Sequence, residues 1–410
     1  MKKTQSWYII TLLDFILLIE EKYIMKKAVM YGAGNIGRGF IAQLFSKSGY
    51  EVALIDVNKA VIEQLNNEKC YPVKVVSAEG IHEEVVTNVY GVDGMSIDAV
   101  ADAIADADVM ATAVGVNILP RIAGNIAEGV RRRFAKTAAP LNIIICENLI
   151  DADKYLASLI KEKLTEDEVK LFDERIGLVE ASIGRMVPIM SEEMQEGNIL
   201  KVWVEPYCEL PVDKNGFKGE IPYVLNMVPF APFEYFIQKK LFLHNMGHAA
   251  TAYYGIREGR AEIADAIAVP EIYEKVRAAM LESANALSAE HGVPYEDVLA
   301  AVEDLLTRFA NPHLHDTVVR VGRDVLRKLA KGDRLIGAAL LCEKHGLPND
   351  NILRIAAAAT LFPADTDEFA AKLNAMIEEN GIEAALASVS GLDKDCDMIK
   401  KIVAMRSELI

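Results

Sequence analysis

The chain has 410 residues, of which 51% are hydrophobic, 25% charged and 7% aromatic. That length accommodates two or three domains of about 100–200 residues, and the composition excludes disorder, collagen or coiled coil as the main state. The formal net charge of −16 argues against a general nucleic-acid-binding surface, although a local basic pocket can still take an anionic small molecule.

The first apolar run, Tyr8–Glu20, is shorter than the roughly 20 apolar residues of a spanning helix and is interrupted by Asp14. It leads into Glu20, Glu21 and Lys22 rather than a small-residue cleavage site. The expectation is neither membrane span nor signal: residues 1–24 are an extension without catalytic role, or translation starts at Met25, where Met-Lys-Lys recurs. Five scattered cysteines without a CxxC pair fit a reducing, cytoplasmic setting.

From residue 28 the chain reads as strand, glycine turn, helix, strand, acid. The strand Ala28–Tyr31 runs into Gly32-Ala33-Gly34-Asn35-Ile36-Gly37. A helical pattern with Phe40, Ile41, Leu44 and Phe45 follows, then the strand Val52–Ile55 and Asp56, 19 residues after Gly37. Each part has a task in dinucleotide binding. Gly32 permits the tight turn, Gly34 lets the backbone approach a pyrophosphate, and Gly37 lets helix and strand pack closely. The helix start, with Asn35 and Ile36, offers free N–H groups to phosphates. Asp56 accepts bonds from ribose hydroxyls and repels a 2′-phosphate, which favours NAD over NADP.

Alternation continues with a strand at Val109–Ala113, a helix at Ile118–Arg133 and a strand at Leu141–Cys146 that is apolar except for Asn142. Ligands of such sheets lie beyond the carboxyl ends of the strands, so Asn148 either meets substrate or nicotinamide, or caps the helix starting near Asp151. Ile176–Ile183 and Leu200–Leu210 read as further strands. The polar, turn-rich segment from Pro211 to Gly219 divides a dinucleotide-binding part, 25–212, from a second part, 213–410. Beyond about residue 225, helical spacing takes over, as in Ile272, Val276, Ala279, Ser283 and in Val298, Val302, Leu305, Phe309. The expected fold is an α/β Rossmann-type doubly wound sheet followed by a mostly α-helical domain.

The first helix of the second part carries Lys240, Asn245 and His248. At 100° per residue Asn245 lies about 140° and His248 about 80° from Lys240, so all three share one arc. A lysine among apolar residues loses basicity on burial and can act as a general base. Asn245 can donate to a developing alkoxide, and His248 can bind hydroxyls. Spacing alone equally allows a solvated or snorkelling lysine and a satisfied core histidine. Within Arg320–Arg334, Arg320, Arg323, Arg327 and Lys331 recur at helical spacing as one basic stripe, either a phosphate site or an ordinary solvated face. His313 and His315 have no companions that would make a metal set, and no nucleophile motif is present.

Three segments together, Gly32-Ala-Gly-Asn-Ile-Gly-Arg-Gly-Phe40, Cys146-Glu-Asn148 and Lys240-Leu-Phe-Leu-His-Asn245-Met-Gly-His248, resemble the polyol-specific long-chain dehydrogenases. The likeness runs from Met25 to near the C-terminus. It implies metal-independent, NAD-dependent interconversion of mannitol 1-phosphate and fructose 6-phosphate. Lys240 would be the base, Asn148 and Asn245 would hold the oxyanion, and His248 would bind substrate. The implied partner is a sugar alcohol or its phosphate, with no nucleic acid or membrane, and the oligomeric state is left open. One position departs from the pattern: the family commonly has Val-Asp-Arg where this chain has Ile183-Gly184-Arg185. Glycine cannot hold a hydroxyl, which keeps free-polyol and hexuronate oxidoreductases of the same family open as alternatives. A nicotinamide-binding regulator without turnover is a further alternative, against which the presence of Lys240, Asn245, His248 and Asn148 argues.

Overall fold

The computed structural model describes residues 25–410, so the readings of the first 24 residues lie outside the described residues. Among the described residues, six parallel strands form the main sheet. They are β1 (Lys27–Tyr31), β2 (Glu51–Asp56), β3 (Val89–Asp93), β4 (Val109–Thr112), β5 (Leu141–Ile145) and β6 (Ile176–Glu180). Their order is β3-β2-β1-β4-β5-β6. Met30 of β1 pairs with Leu54 of β2 on one side and Ala111 of β4 on the other. The chain reverses direction across the sheet between β1 and β4, which opens a crevice beyond their carboxyl ends, the usual ligand position in such sheets. All five residues of β5 are buried, including its one polar residue, Asn142, whose amide donates to the Lys218 carbonyl and accepts from Lys218 N.

The segment read as one strand, Leu200–Leu210, is two. Val202–Val204 pairs parallel with Tyr71–Ser77, whose other neighbour is the antiparallel strand Gly80–Val86. Leu210–Asp213 pairs with Met227–Phe230. Pro206 lies between them and has no N–H to continue a ladder.

From Glu234 onward the chain is helical. The apolar spacings read from sequence become its core: Ile272, Val276, Ala279, Val298, Val302, Leu305 and Phe309 are all buried in one cluster with Leu243, Met246 and Tyr253. The lysine-bearing segment is pinned to the long helix Pro270–His291. Ser283 donates to the Phe242 carbonyl at 2.7 Å. A Cβ on Gly247 would lie 2.6 Å from Met280 Sδ, so glycine there sets the closeness of the two helices.

Candidate active site

The glycine turn has the geometry its residues imply. Gly32 adopts φ +104, and a Cβ there would meet the Ala113 carbonyl oxygen at 2.4 Å. A Cβ on Gly37 would lie 1.9 Å from the Gly32 oxygen, whereas one on Gly34 would meet nothing within 4 Å. Gly32 and Gly37 therefore shape the turn, and Gly34 leaves open room above it. Asn35 is tied to the second edge of the crevice by a bond from its amide to the Pro188 carbonyl at 3.2 Å. Ile36 packs against the core on one face of the sheet. Asp56 holds the turn itself, accepting from Ala33 N at 2.9 Å through one oxygen and Asn58 N at 2.9 Å through the other. A cavity of about 710 Å³ opens here, lined by Gly32, Gly34, Asp56, Met95, Arg121 and Asn125 among others. Its exposed apolar edge of Val57, Met95 and Ile97 suits a flat ring system.

Glu147, which the sequence reading passed over, holds the loop after β4. Its two oxygens accept Val114 N at 2.9 Å and Gly115 N at 2.8 Å. Asn148 follows it, exposed, at the end of β5. The helix Ala152–Lys161 takes Asp151 as its N-cap residue, so Asn148 is not its cap. Asn148 lines a second cavity of about 420 Å³ together with Glu180, Lys240, Asn245, Arg327 and Arg334.

Lys240 and Asn245 lie on a π-helical stretch, Lys239–Asn245, that continues into the α-helix Met246–Arg257. With i to i+5 bonding, residues five apart stack on one face, which brings Lys240 and Asn245 to the same cavity. The single arc expected from α-helical spacing does not extend to His248. That ring is bonded to Asp316 Oδ2 at 3.1 Å and stacked on Phe309 at 5.0 Å, and it lines neither cavity that Lys240 lines. It is a satisfied, packed histidine.

Burial, and secondarily the nearby Arg334 guanidinium, lowers the Lys240 ammonium to about 8, with the Cys146 thiol acting weakly the other way. Its Nζ has no hydrogen-bond partner among the described residues. On the same cavity wall, burial and then Asp153 push the Glu180 carboxyl up to about 7.

The basic stripe is not one helix. Asp324 adopts φ +64 between the short helices Val318–Gly322 and Val325–Lys328, and this left-handed residue redirects the chain. Arg320 turns back to Asp316, and Arg323, exposed, offers its carbonyl to Lys328. Neither lines the Lys240 cavity. Arg327 does, bonded to Asp324 and Asp333, and Arg334, paired with Asp333, joins it there. Two arginines share the Asp333 carboxylate, and Arg327 also holds Asp324. Arg334 was legible only as one more basic residue of the segment.

Lys240 also borders a third cavity, of about 320 Å³, on its other side. Ser182, Gly184, Tyr207, Glu209, His244 and Arg308 are among its lining residues. Among the described residues no group of three or more His, Cys, Asp or Glu is placed to hold a metal ion, and no helix is long and apolar enough to cross a membrane.

Comparison with known proteins identifies the family. The family model described as the mannitol dehydrogenase Rossmann domain matches residues 26–224, and that of the mannitol dehydrogenase C-terminal domain matches residues 233–410. The chain belongs to the mannitol dehydrogenase family. Within that family it is 40% identical, over 89% of its length and 93% of the relative's, to mannitol-1-phosphate 5-dehydrogenase of Brevibacillus brevis. Its fold is shared with a substrate-free D-sorbitol dehydrogenase, TM-score 0.79 at 15% identity, covering 94% of this chain and 93% of that one. It is shared also with a mannitol 2-dehydrogenase of Pseudomonas fluorescens solved with NAD and D-mannitol, TM-score 0.69 at 13% identity, covering 94% and 95%. As a member of this family the protein is an oxidoreductase acting on polyols.

Proposed function

We propose that this protein interconverts mannitol 1-phosphate and fructose 6-phosphate, with NAD as the hydride carrier and Lys240 as the general base. The observation that carries the reading is the Lys240 amine, held near neutrality by burial and facing a cavity that Asn148 and Asn245 share. A base poised close to the working pH has the best combination of proton affinity and available neutral form.

The residues around the glycine turn fit a dinucleotide. The open space over Gly34 suits a pyrophosphate, Asp56 has lone pairs left for ribose hydroxyls, and the cavity runs toward the end of β1. Held over Gly34 and beside Asp56, a bound NAD would supply the hydride acceptor for the alcohol, or in its reduced form the hydride donor for the ketone. The protein does the rest. Neutral Lys240 removes the hydroxyl proton as the carbonyl forms, and its ammonium returns the proton in the reverse direction. The amides of Asn148 and Asn245 donate to the oxygen while it carries negative charge. Glu147, beside Asn148, holds the loop at Val114 and Gly115 in shape.

The phosphate is assigned to Arg327 and Arg334, whose guanidinium groups suit tetrahedral oxyanions. The 40%-identical relative named for mannitol 1-phosphate supports a phosphorylated substrate. The test is NADH oxidation by the purified protein with fructose 6-phosphate, free fructose and fructuronate in parallel. A strong preference for fructose 6-phosphate is expected. Preference for fructose or fructuronate would retain the Lys240 chemistry and replace the phosphopolyol reading, and NADH binding without turnover on any of them would favour a regulator.

A further inference from the structure

We infer that Tyr207 and Glu209 form the hydroxyl-reading pair of the substrate site, standing in for the side chain that Gly184 lacks. The inference rests on the polyol reading above and deepens it.

A Cβ on Gly184 would lie 3.3 Å from Tyr207 Cε1 and 3.6 Å from its phenolic oxygen. The space beside a Cβ at residue 184 is thus bordered by the Tyr207 ring and its phenol oxygen. The ring is not loosely held. The Arg308 guanidinium stacks over it at 4.0 Å, and Arg308 is itself fixed by Glu205 and by the Gly184 carbonyl. Glu209 Oε2 is 3.4 Å from the phenol oxygen, a long bond that is easily exchanged. Its other oxygen has no partner among the described residues. Gly184, Tyr207, Glu209 and Arg308 line the cavity that also contains Ser182 and Lys240, so a ligand reacting at Lys240 has this pair within its reach.

The chemistry is specific. A phenol that can donate to a carboxylate while accepting from a ligand, beside a carboxylate with a free oxygen, matches neighbouring hydroxyls on a carbon chain. Glu209 and Asp304 share this cavity with Lys239, Lys240 and Arg308, and Arg308 is taken up by Glu205 and Asp304. A site built to bond a hydroxyl discriminates strongly against a ligand that lacks it, because its polar groups are then left unpaired.

The experiment is steady-state kinetics of Tyr207→Phe and Glu209→Gln with fructose 6-phosphate and with analogues lacking the hydroxyl at C3 or C4. Tyr207→Phe should raise KM about 3- to 10-fold and Glu209→Gln about 10-fold or more, the range for losing a neutral and a charge-assisted hydrogen bond. Turnover number and NADH affinity should stay within about twofold, since neither group bears on the chemical step. With one of the deoxy analogues the wild type and Tyr207→Phe should have equal KM. Adding Gly184→Asp to Tyr207→Phe should recover part of the loss. Wild-type turnover with unchanged KM in both variants overturns this inference and leaves the proposed function standing. An equal rise on every analogue also overturns it, since that marks a general disturbance. Absence of wild-type turnover on any ketose overturns the proposed function and this inference together.

Discussion

Arg308 grips Glu205 at two points, Nε to Oε2 at 2.8 Å and Nη2 to Oε1 at 2.6 Å, with the glutamate side chain 1% exposed. The pair joins the helix Tyr295–Phe309 to the segment after the Val202–Val204 strand, and so binds the helical half to the sheet half beside the substrate cavity. Removing one member of a buried pair leaves the other charge uncompensated, at a cost of about 3–5 kcal/mol. Arg308→Met should therefore lower the denaturation midpoint markedly, and Glu205→Gln in the same chain should recover part of it. Chemical denaturation of the two single variants and the double variant measures this. Additive losses would show that the two side chains are not coupled.

The Lys240 amine sets the pH dependence. Its ammonium is lowered to about 8, and alcohol oxidation needs the neutral amine. The rate of polyol oxidation should climb with pH and level off above about 8. Ketone reduction needs the ammonium and should fall through the same region. Lys240→Ala should lose both limbs and about 10²- to 10⁴-fold in turnover, the usual share of a general base. NADH affinity, measured by fluorescence titration, should be nearly unchanged.

Gly34 and Gly37 separate folding from binding. Gly34→Ala adds a methyl into open space and should leave the melting temperature unchanged while weakening NADH binding at least about tenfold, because the new Cβ stands where the backbone must approach a pyrophosphate. Gly37→Ala sets a methyl against the Gly32 oxygen and should cost about 1–3 kcal/mol of stability or more, as overpacking does. Thermal melts and NADH titrations of both variants, side by side, check the contrast.

Asp56 carries two tasks. Asp56→Ala removes a charge that repels a 2′-phosphate, and the ratio of NADH to NADPH efficiency should fall by at least about tenfold, since juxtaposed like charges cost several kcal/mol. Because the same carboxylate holds Ala33 N and Asn58 N, NADH binding should weaken as well. A constant cofactor ratio would remove the repulsion argument.

The arginines divide by position. Arg327→Ala and Arg334→Ala should raise KM for fructose 6-phosphate about 10- to 100-fold, the loss of one charge-assisted bond, with little change for free fructose. Arg320→Ala and Arg323→Ala, outside the cavity, should change it less than about twofold. Equal effects in all four would disconnect the phosphate from this cavity.

Much of the site was legible because its signals are local. The turn from Gly32 to Gly37 is a statement about backbone space within six residues. The acid ending β2 and the asparagine after β5 follow from where strands stop. Lys240 and Asn245 were readable as a pair, although the reason they meet, a π-helical turn, has no mark in the apolar spacing. The outer strands Tyr71–Ser77 and Gly80–Val86 were not read, since the second is largely exposed and lacks the continuous apolar pattern of the central strands. The arginine stripe misled because periodicity assumes an unbroken helix, and Asp324 breaks it.

By itself the sequence determined the order of strand and helix, the dinucleotide turn, and the chemical types available at the centre, because steric and periodic constraints act between near neighbours. Only the tertiary structure decided which of those groups share a cavity. It turned His248 to Asp316, exchanged Arg320 for Arg334, and filled the space at Gly184 with Tyr207. The reason is that burial and pairing depend on residues far apart in the chain. The basicity of Lys240 and the grip of Arg308 on Glu205 arise from such neighbours, which spacing along one helix does not encode.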